Sequence, residues 1–401
     1  MISAEELRMK FVLIFLVAVF VSTSYASAEN SSAHVWLTQT VDSGANNGVG
    51  GRPSIVLDSN DKPHISYYQY GAVRTKYAVW DGSDWSIETV TSCAQYPSLA
   101  LDSNNRPHIS YYNYCGSYLS YAYWDGASWN FQVVDSNGGV GKRSSLALDS
   151  NDKSHISYYD QTNKDLKYAY WNGSSWDINT VDVGVVNDDR SSLAFDSNDN
   201  PRISYREGSG LRYAAWDGTG WTTEVVDGGS NLGQNCSLSI DGNNNPHISY
   251  HSDGIGLKYA FWNGSSWNLQ TVDSEGDVGI YTSLALDSFG NPRIAYIYNA
   301  GSNSGIRYAS WNGLEWDIEY VDTQPANQHP SLALDSNDFP HICYYNYNYG
   351  NPTGSLRHAS VCKRTIVGDL NRDCYVDFRD FAVFAADWLD CANAFDADCV
   401  E

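Results

Sequence analysis

Two groups of residues in this sequence have types and spacings that could do chemistry. The first lies near the C-terminus, where Asp369, Asn371, Asp373, Asp377 and Asp380 stand at positions one, three, five, nine and twelve of a loop. Oxygen donors at those spacings surround a calcium ion, and the backbone carbonyl of position seven, here Tyr375, completes the set. The chemistry expected there is Ca2+ binding. The second group is scattered: Arg52, Tyr96, Arg143, Arg190, Asn235, Tyr281 and His329. Each stands six residues before an aspartate that recurs along the chain, at Asp58, Asp102, Asp149, Asp196, Asp241, Asp287 and Asp335. Three guanidinium groups, two phenols, an imidazole and an amide suit an acidic or polyhydroxylated ligand, provided the fold brings them together. The repeat itself contains no catalytic motif and no convergent acid–base pair.

The elements that must position the second group follow from the repeat. The recurring aspartates are 44 to 48 residues apart, so seven copies of one unit exist, a period that belongs to stacked or radial architectures. In the copy from Ser145 to Trp176 the apolar pattern has period two. Leu146, Ala147 and Leu148 form a first strand, and Asp149 to Asp152 make a turn in which Asp and Asn side chains mimic backbone. His155 to Tyr159 form a second strand, with Ile156 and Tyr158 on one face. Leu166 to Trp171 form a third, Asn172-Gly173 opens a tight hairpin, and Trp176 to Val181 form a fourth. Four antiparallel strands per unit and seven units predict an all-β protein, a seven-bladed β-propeller. Trp36 to Asp42 reads as a fourth strand with no first three, whereas the last copy lacks a fourth strand. The N-terminal strand should therefore complete the last blade and hide the sheet edge. In such a ring the seven variable residues enter the first strands from one side and converge on one mouth of the central channel. The recurring aspartates, and His64, His108, His155, His247 and His341 with Arg202 and Arg293 in their place in two copies, are expected to be turn and packing chemistry. The tryptophan pairs, such as Trp171 and Trp176, are expected to pack across the strands.

Composition restricts what the chain can bind and where it works. With 24 basic and 47 acidic residues its formal charge is −23, which excludes nucleic acid and anionic membrane as natural partners. Arg8 and Lys10, the apolar run Phe11 to Val21 and the small-residue site Ala26-Ser27-Ala28 predict a signal peptide over residues 1–28. The apolar run falls short of the ~20 residues that span a bilayer, so no membrane span is expected and the protein should be secreted, extracellular or at the cell surface. Eight cysteines permit disulfides in that compartment, and Cys93 and Cys115, flanking loops of one face, predict a structural bond. The domains expected are the signal peptide at 1–28, the propeller at 33–362 and a calcium-binding segment at 367–401. In that segment Phe381, Phe384, Ala385 and Trp388 have helical spacing.

The tail pattern D-x-N-x-D-x-x-V-D-x-x-D-F, starting at Asp369, resembles a dockerin, a calcium-loop–helix module of secreted carbohydrate-active and cell-surface assemblies. That resemblance implies Ca2+ as a cofactor and a cohesin-like partner. Dockerins carry two loops, and Asp396-Ala397-Asp398 is only the opening of a second; Cys374 also stands where EF-hand loops have glycine. The strands PHISYY and LKYAYW and the hairpin W-D/N-G-x-x-W resemble the secreted propellers of the BNR/sialidase-like and fucose-lectin-like groups. The resemblance implies binding of a glycan or another cell-surface ligand. Sialidases would add the Asp-box S-x-D-x-G-x-T-W, which is absent, so their catalytic arginines are not carried onto Arg52, Arg143 or Arg190. The sequence thus predicts a non-catalytic exported propeller that binds glycan. The alternative is a polysaccharide lyase or glycoside hydrolase with its site at the channel mouth.

Overall fold

Seven sheets of four antiparallel strands follow one another along the chain, each with its strands in sequence order except the last. These elements come from a computed structural model that describes residues 34–362 apart from 45–47, 186–189, 209, 230, 301–302, 325–326 and 348–353. The last sheet pairs the N-terminal strand Val35–Ser43 with Ser355–Cys362, followed by Pro340–Asn346 and Asn327–Leu334. The ring is closed as the incomplete terminal repeats predict. Among the described residues no helix is present, and none is long and apolar enough to cross a membrane. The leader and the loop Asp369, Asn371, Asp373, Tyr375, Asp377 and Asp380 lie outside the described residues.

The third blade shows why the repeat folds this way. Its strands are Val140–Leu148, Ser154–Asp160, Asp165–Trp171 and Trp176–Asp182. Leu146, Ile156, Ala169 and Ile178 stand opposite one another in one row across the sheet. The second strand is buried along its whole length, because both of its faces pack against neighbouring blades. Leu166, Tyr168 and Val181 of this blade share a core with Leu193, Ile203 and Tyr205 of the next. Period-two alternation is therefore present, but both phases carry large residues. The third and fourth strands are joined by the hairpin expected to open at Asn172-Gly173, a loop of four residues from Asn172 to Ser175. The Asn172 carboxamide oxygen accepts from the backbone N–H of Ser174 and Ser175, and Gly173 takes a φ of 101° that favours glycine.

The recurring aspartates are turn chemistry, as expected. Asp149 Oδ1 accepts from the Asn151 and Lys153 backbone N–H groups at 2.9 and 2.8 Å, and Asp58 does the same for Asn60 and Lys62. The following histidine contacts the same aspartate through Nε2, 3.4 Å in the His155–Asp149 pair, and hydrogen-bonds a tyrosine of the third strand through Nδ1. Where arginine replaces histidine the pair tightens to 2.6 Å, Arg202 to Asp196. The paired tryptophans Trp171 and Trp176 pack across the hairpin at 5.6 Å between centroids, and Trp176 Nε1 donates to Gln132 of the preceding blade.

Candidate functional site: a basic ring at the channel mouth

The inner strands bring the variable residues together. Deepest is a closed circle of serines: Ser54, Ser98, Ser145, Ser192, Ser237, Ser283 and Ser331 each accept from a backbone N–H of the next blade at 3.0–3.2 Å. Two residues before each serine stands the variable position. In six of the seven blades it has a left-handed backbone: Arg52 (51°), Tyr96 (56°), Arg143 (55°), Asn235 (51°), Tyr281 (53°) and His329 (53°). In the same six strands the register slips between the residue before that position and the serine, so the variable residue lies within the bulge. Such a bulge re-aims one side chain out of the sheet, here toward the axis. Holding a non-glycine residue left-handed costs of order 1–3 kcal/mol. Glycine would remove that cost, yet no copy uses it.

Arg52, Tyr96, Arg143, Arg190, Asn235, Tyr281 and His329 all line one recess, together with Pro53, Pro97 and Ser144. Among the described residues lining it there is no carboxylate, in a chain that carries a charge of −23. The Arg52 guanidinium lies 4.4 Å from the centroid of the Tyr96 ring, and the Tyr281 and His329 rings are 4.0 Å apart. Both ring nitrogens of His329 are shielded from solvent and have no hydrogen-bond partner. Burial, and then the charges of Arg52, Arg190 and Arg143, hold the imidazole well below its ordinary pKa, so it is neutral at physiological pH. The arrangement can offer three cations and two phenols to one small oxyanion, with the neutral imidazole packed behind them.

The space open to water centres in the recess is about 50 Å³. At about 10–15 Å³ per water, that is room for roughly four waters, or for a carboxylate or sulfate group but not a sugar ring. Whatever carries the charged group must lie across the rim.

That rim holds residues which the sequence reading passed over. Tyr68 and Tyr70 of the first blade, Tyr112 and Tyr114 of the second, and Tyr345 and Tyr347 of the seventh stand at equivalent positions of their repeats. The recurring signal is Tyr-Tyr-x-Tyr at the end of the second strand. It occurs in the first two repeats and the last, which become neighbours only when the ring closes. The disulfide between Cys93 and Cys115 forms as predicted, with a Cα separation of 5.5 Å, whereas Cys236 and Cys343 are buried thiols. Among the described residues no cluster of His, Cys, Asp and Glu could hold a metal.

Neither a protein-family model nor a curated protein sequence matches the chain. Solved structures do match in fold. An ulvan lyase, from a polysaccharide lyase family and also solved with -[GlcA(1-4)Rha3S]- bound, is 13% identical with a TM-score of 0.58 over 79% of this chain and 95% of its own. A protein of unknown function from Dyadobacter fermentans is 10% identical, with a TM-score of 0.52 over 82% and 99%. The fucose-binding lectin of Aleuria aurantia, a six-bladed propeller, is 14% identical with a TM-score of 0.50 over 72% and 99%. At these identities the likeness is one of fold: an all-β seven-bladed propeller whose structural neighbours include carbohydrate-binding lectins and a polysaccharide lyase.

Proposed function

We propose that this chain is an exported, non-catalytic propeller that binds an acidic glycan at the mouth of its channel. The observation that carries the reading is the recess formed by the seven variable residues, with three arginines, no carboxylate in its lining and an unengaged neutral histidine. Its size selects a carboxylate or sulfate substituent, and its charge excludes a cation. Fold neighbours that bind fucose or a uronic-acid polymer support a sugar as the bearer of that group. The signal peptide supports export, and the loop from Asp369 to Asp380 supports Ca2+ binding in a dockerin-like tail that attaches the propeller to an assembly.

A second reading, a polysaccharide lyase, is favoured by one observation: the Tyr281 and His329 rings in contact beside arginines that could hold a uronate carboxylate. One experiment separates the two. The full chain is titrated with a glucuronate-containing oligosaccharide and with its carboxyl-reduced counterpart, and ultraviolet absorbance is followed for unsaturated products. Binding of the charged form alone, without product, is expected, together with a loss of about 1.5–3 kcal/mol, more than tenfold, in Arg143→Ala. Equal affinity for both forms would overturn the anion reading. Product that disappears in His329→Ala would establish the lyase.

A further inference from the structure

We infer that the tyrosines over blades seven, one and two form a stacking platform for the sugar residues adjoining the charged one, so that the bound chain leaves the channel over this sector. The inference rests on the channel reading and gives it a direction. Because the recess admits only an anionic substituent, the sugar bearing it and its neighbours must lie on the rim, and the rim is not the same all round. In blades seven, one and two the paired rim positions are Tyr345 and Tyr347, Tyr68 and Tyr70, and Tyr112 and Tyr114. The corresponding pairs in blades four and five are Arg206 with Gly208 and His251 with Asp253.

The tyrosines of blades seven and one pack on one another, and Tyr112 of blade two packs on the channel ring. Tyr345 and Tyr70 lie 5.4 Å apart between centroids, and Tyr70 and Tyr68 lie 4.8 Å apart at a steep angle. The Tyr68 hydroxyl accepts from Gln95 at 3.0 Å, and Tyr112 packs against Tyr96 of the ring itself at 6.4 Å. Tyr345, Tyr68 and Tyr112 are buried supports, whereas Tyr70 is 37% and Tyr114 57% exposed. Buried aromatics holding two exposed ones make a surface that can stack on the apolar face of a pyranose.

Two features build the platform in. Position 51 is glycine, where the other copies have longer side chains such as Gln95, Lys142, Gln234 and Gln328. A Cβ there would come within 2.3–2.7 Å of the Tyr70 ring, so the ring lies over the backbone next to Arg52 because that side chain is missing. On the other side, the backbone N–H of Tyr114 donates to Cys93 at 2.7 Å, and Cys115, its chain neighbour, is bonded to Cys93. The exposed ring is thereby tied to the strand that carries Tyr96.

The test compares two probes on the full chain by titration calorimetry: glucuronate alone, and an unbranched tetrasaccharide with glucuronate at one end. Wild type should bind the tetrasaccharide tighter. Tyr70→Ala and Tyr114→Ala should each weaken the tetrasaccharide about 3- to 10-fold while leaving glucuronate within about twofold. Gly51→Ala, which displaces Tyr70 without removing any aromatic ring, should reproduce the Tyr70→Ala pattern. Phe131→Ala, at an exposed aromatic of an outer strand, should change neither. Equal wild-type affinity for the two probes, or equal losses for both in the tyrosine variants, overturns the platform and leaves the channel standing. Failure of wild type to bind either probe overturns the channel reading and the platform with it.

Discussion

Six of the seven seams between blades are held by the same three groups, and the seventh is held differently. At the end of the outer strand of one blade an aspartate accepts from a tyrosine of the next blade's second strand and pairs with a cation on its third. Asp135 meets Tyr158 at 2.7 Å and Lys167 at 3.5 Å, and Asp273 meets Tyr296 and Arg307 at 2.7 and 2.8 Å. The seam between the seventh and first blades has the same set, Asp42 with Tyr67 and Lys76. Between blades one and two the aspartate is Thr91 and the cation is Ser120, and the Tyr111 hydroxyl faces those two hydroxyls in place of a charge pair. Beside this seam Cys93, the residue joining the two blades, is bonded to Cys115 in the loop after the second strand of blade two. A charge cluster buried between sheets thus holds six seams, and a covalent bond at the rim braces the blade beside the seventh. The covalent version stands where the tyrosine platform needs a fixed edge.

Breaking the ionic version should have the largest effect. Asp273→Ala leaves the Arg307 guanidinium, 3% exposed, and the Tyr296 hydroxyl without their acceptor. The expected loss is about 3–5 kcal/mol, read from denaturant unfolding, since an uncompensated buried charge is costlier than the pair is favourable. A loss below that of an ordinary surface substitution would show that Glu275 and the rings of Tyr298 and Tyr320 suffice for Arg307.

Breaking the covalent version comes next. The disulfide closes a separation of 22 residues, for which chain entropy gives about 3 kcal/mol. Cys93→Ser with Cys115→Ser should lower stability by that amount. Adding Thr91→Asp and Ser120→Lys to this background converts the seam to the ionic type and should recover about 1 kcal/mol. No recovery would mean that the two kinds of seam are not interchangeable and that the disulfide serves the rim alone.

Acid acts on the hairpins of blades one, two and four, where the turn residue is aspartate rather than asparagine, and has the smallest effect near neutrality. Asp81 and Asp125 accept hairpin backbone N–H groups, from Asp84 and Ser83 and from Ser128 and Ala127, which lower their pKa to about 2. A carboxylate whose folded pKa is depressed stabilises the fold above its unfolded value and loses that contribution as pH falls through the folded one. The buried histidines, His329 among them, are also held below their ordinary pKa and bind protons only on unfolding, so melting temperature should fall gently below about pH 6.5 and more steeply between about 4 and 2. A flat melting temperature from pH 7 to about 5 would show that burial does not hold the histidines neutral.

How much of this could be read without coordinates differs from residue to residue. The blade count, the closure by Trp36 to Asp42 and the convergence of the seven channel residues follow from register alone. A fixed offset from a repeated turn becomes a fixed height in a ring, so residues more than 250 positions apart can be placed at one mouth. The first strand was legible only from Leu146 to Leu148, although it begins at Val140. The left-handed residue at Arg143 breaks the alternation that marks a strand, and nothing about an arginine announces that conformation.

The Tyr-Tyr-x-Tyr segments stand in plain view in the chain, yet they carry no meaning until closure sets the last repeat beside the first. The sequence by itself determined the repeat, its turns and which positions vary, because strand alternation and Asx turns are local physics. Tertiary structure decided the rest: how small the recess is, which histidine is left without a partner, and that three tyrosine pairs form one sector. Each of these depends on the curvature of the closed ring, which no single blade contains.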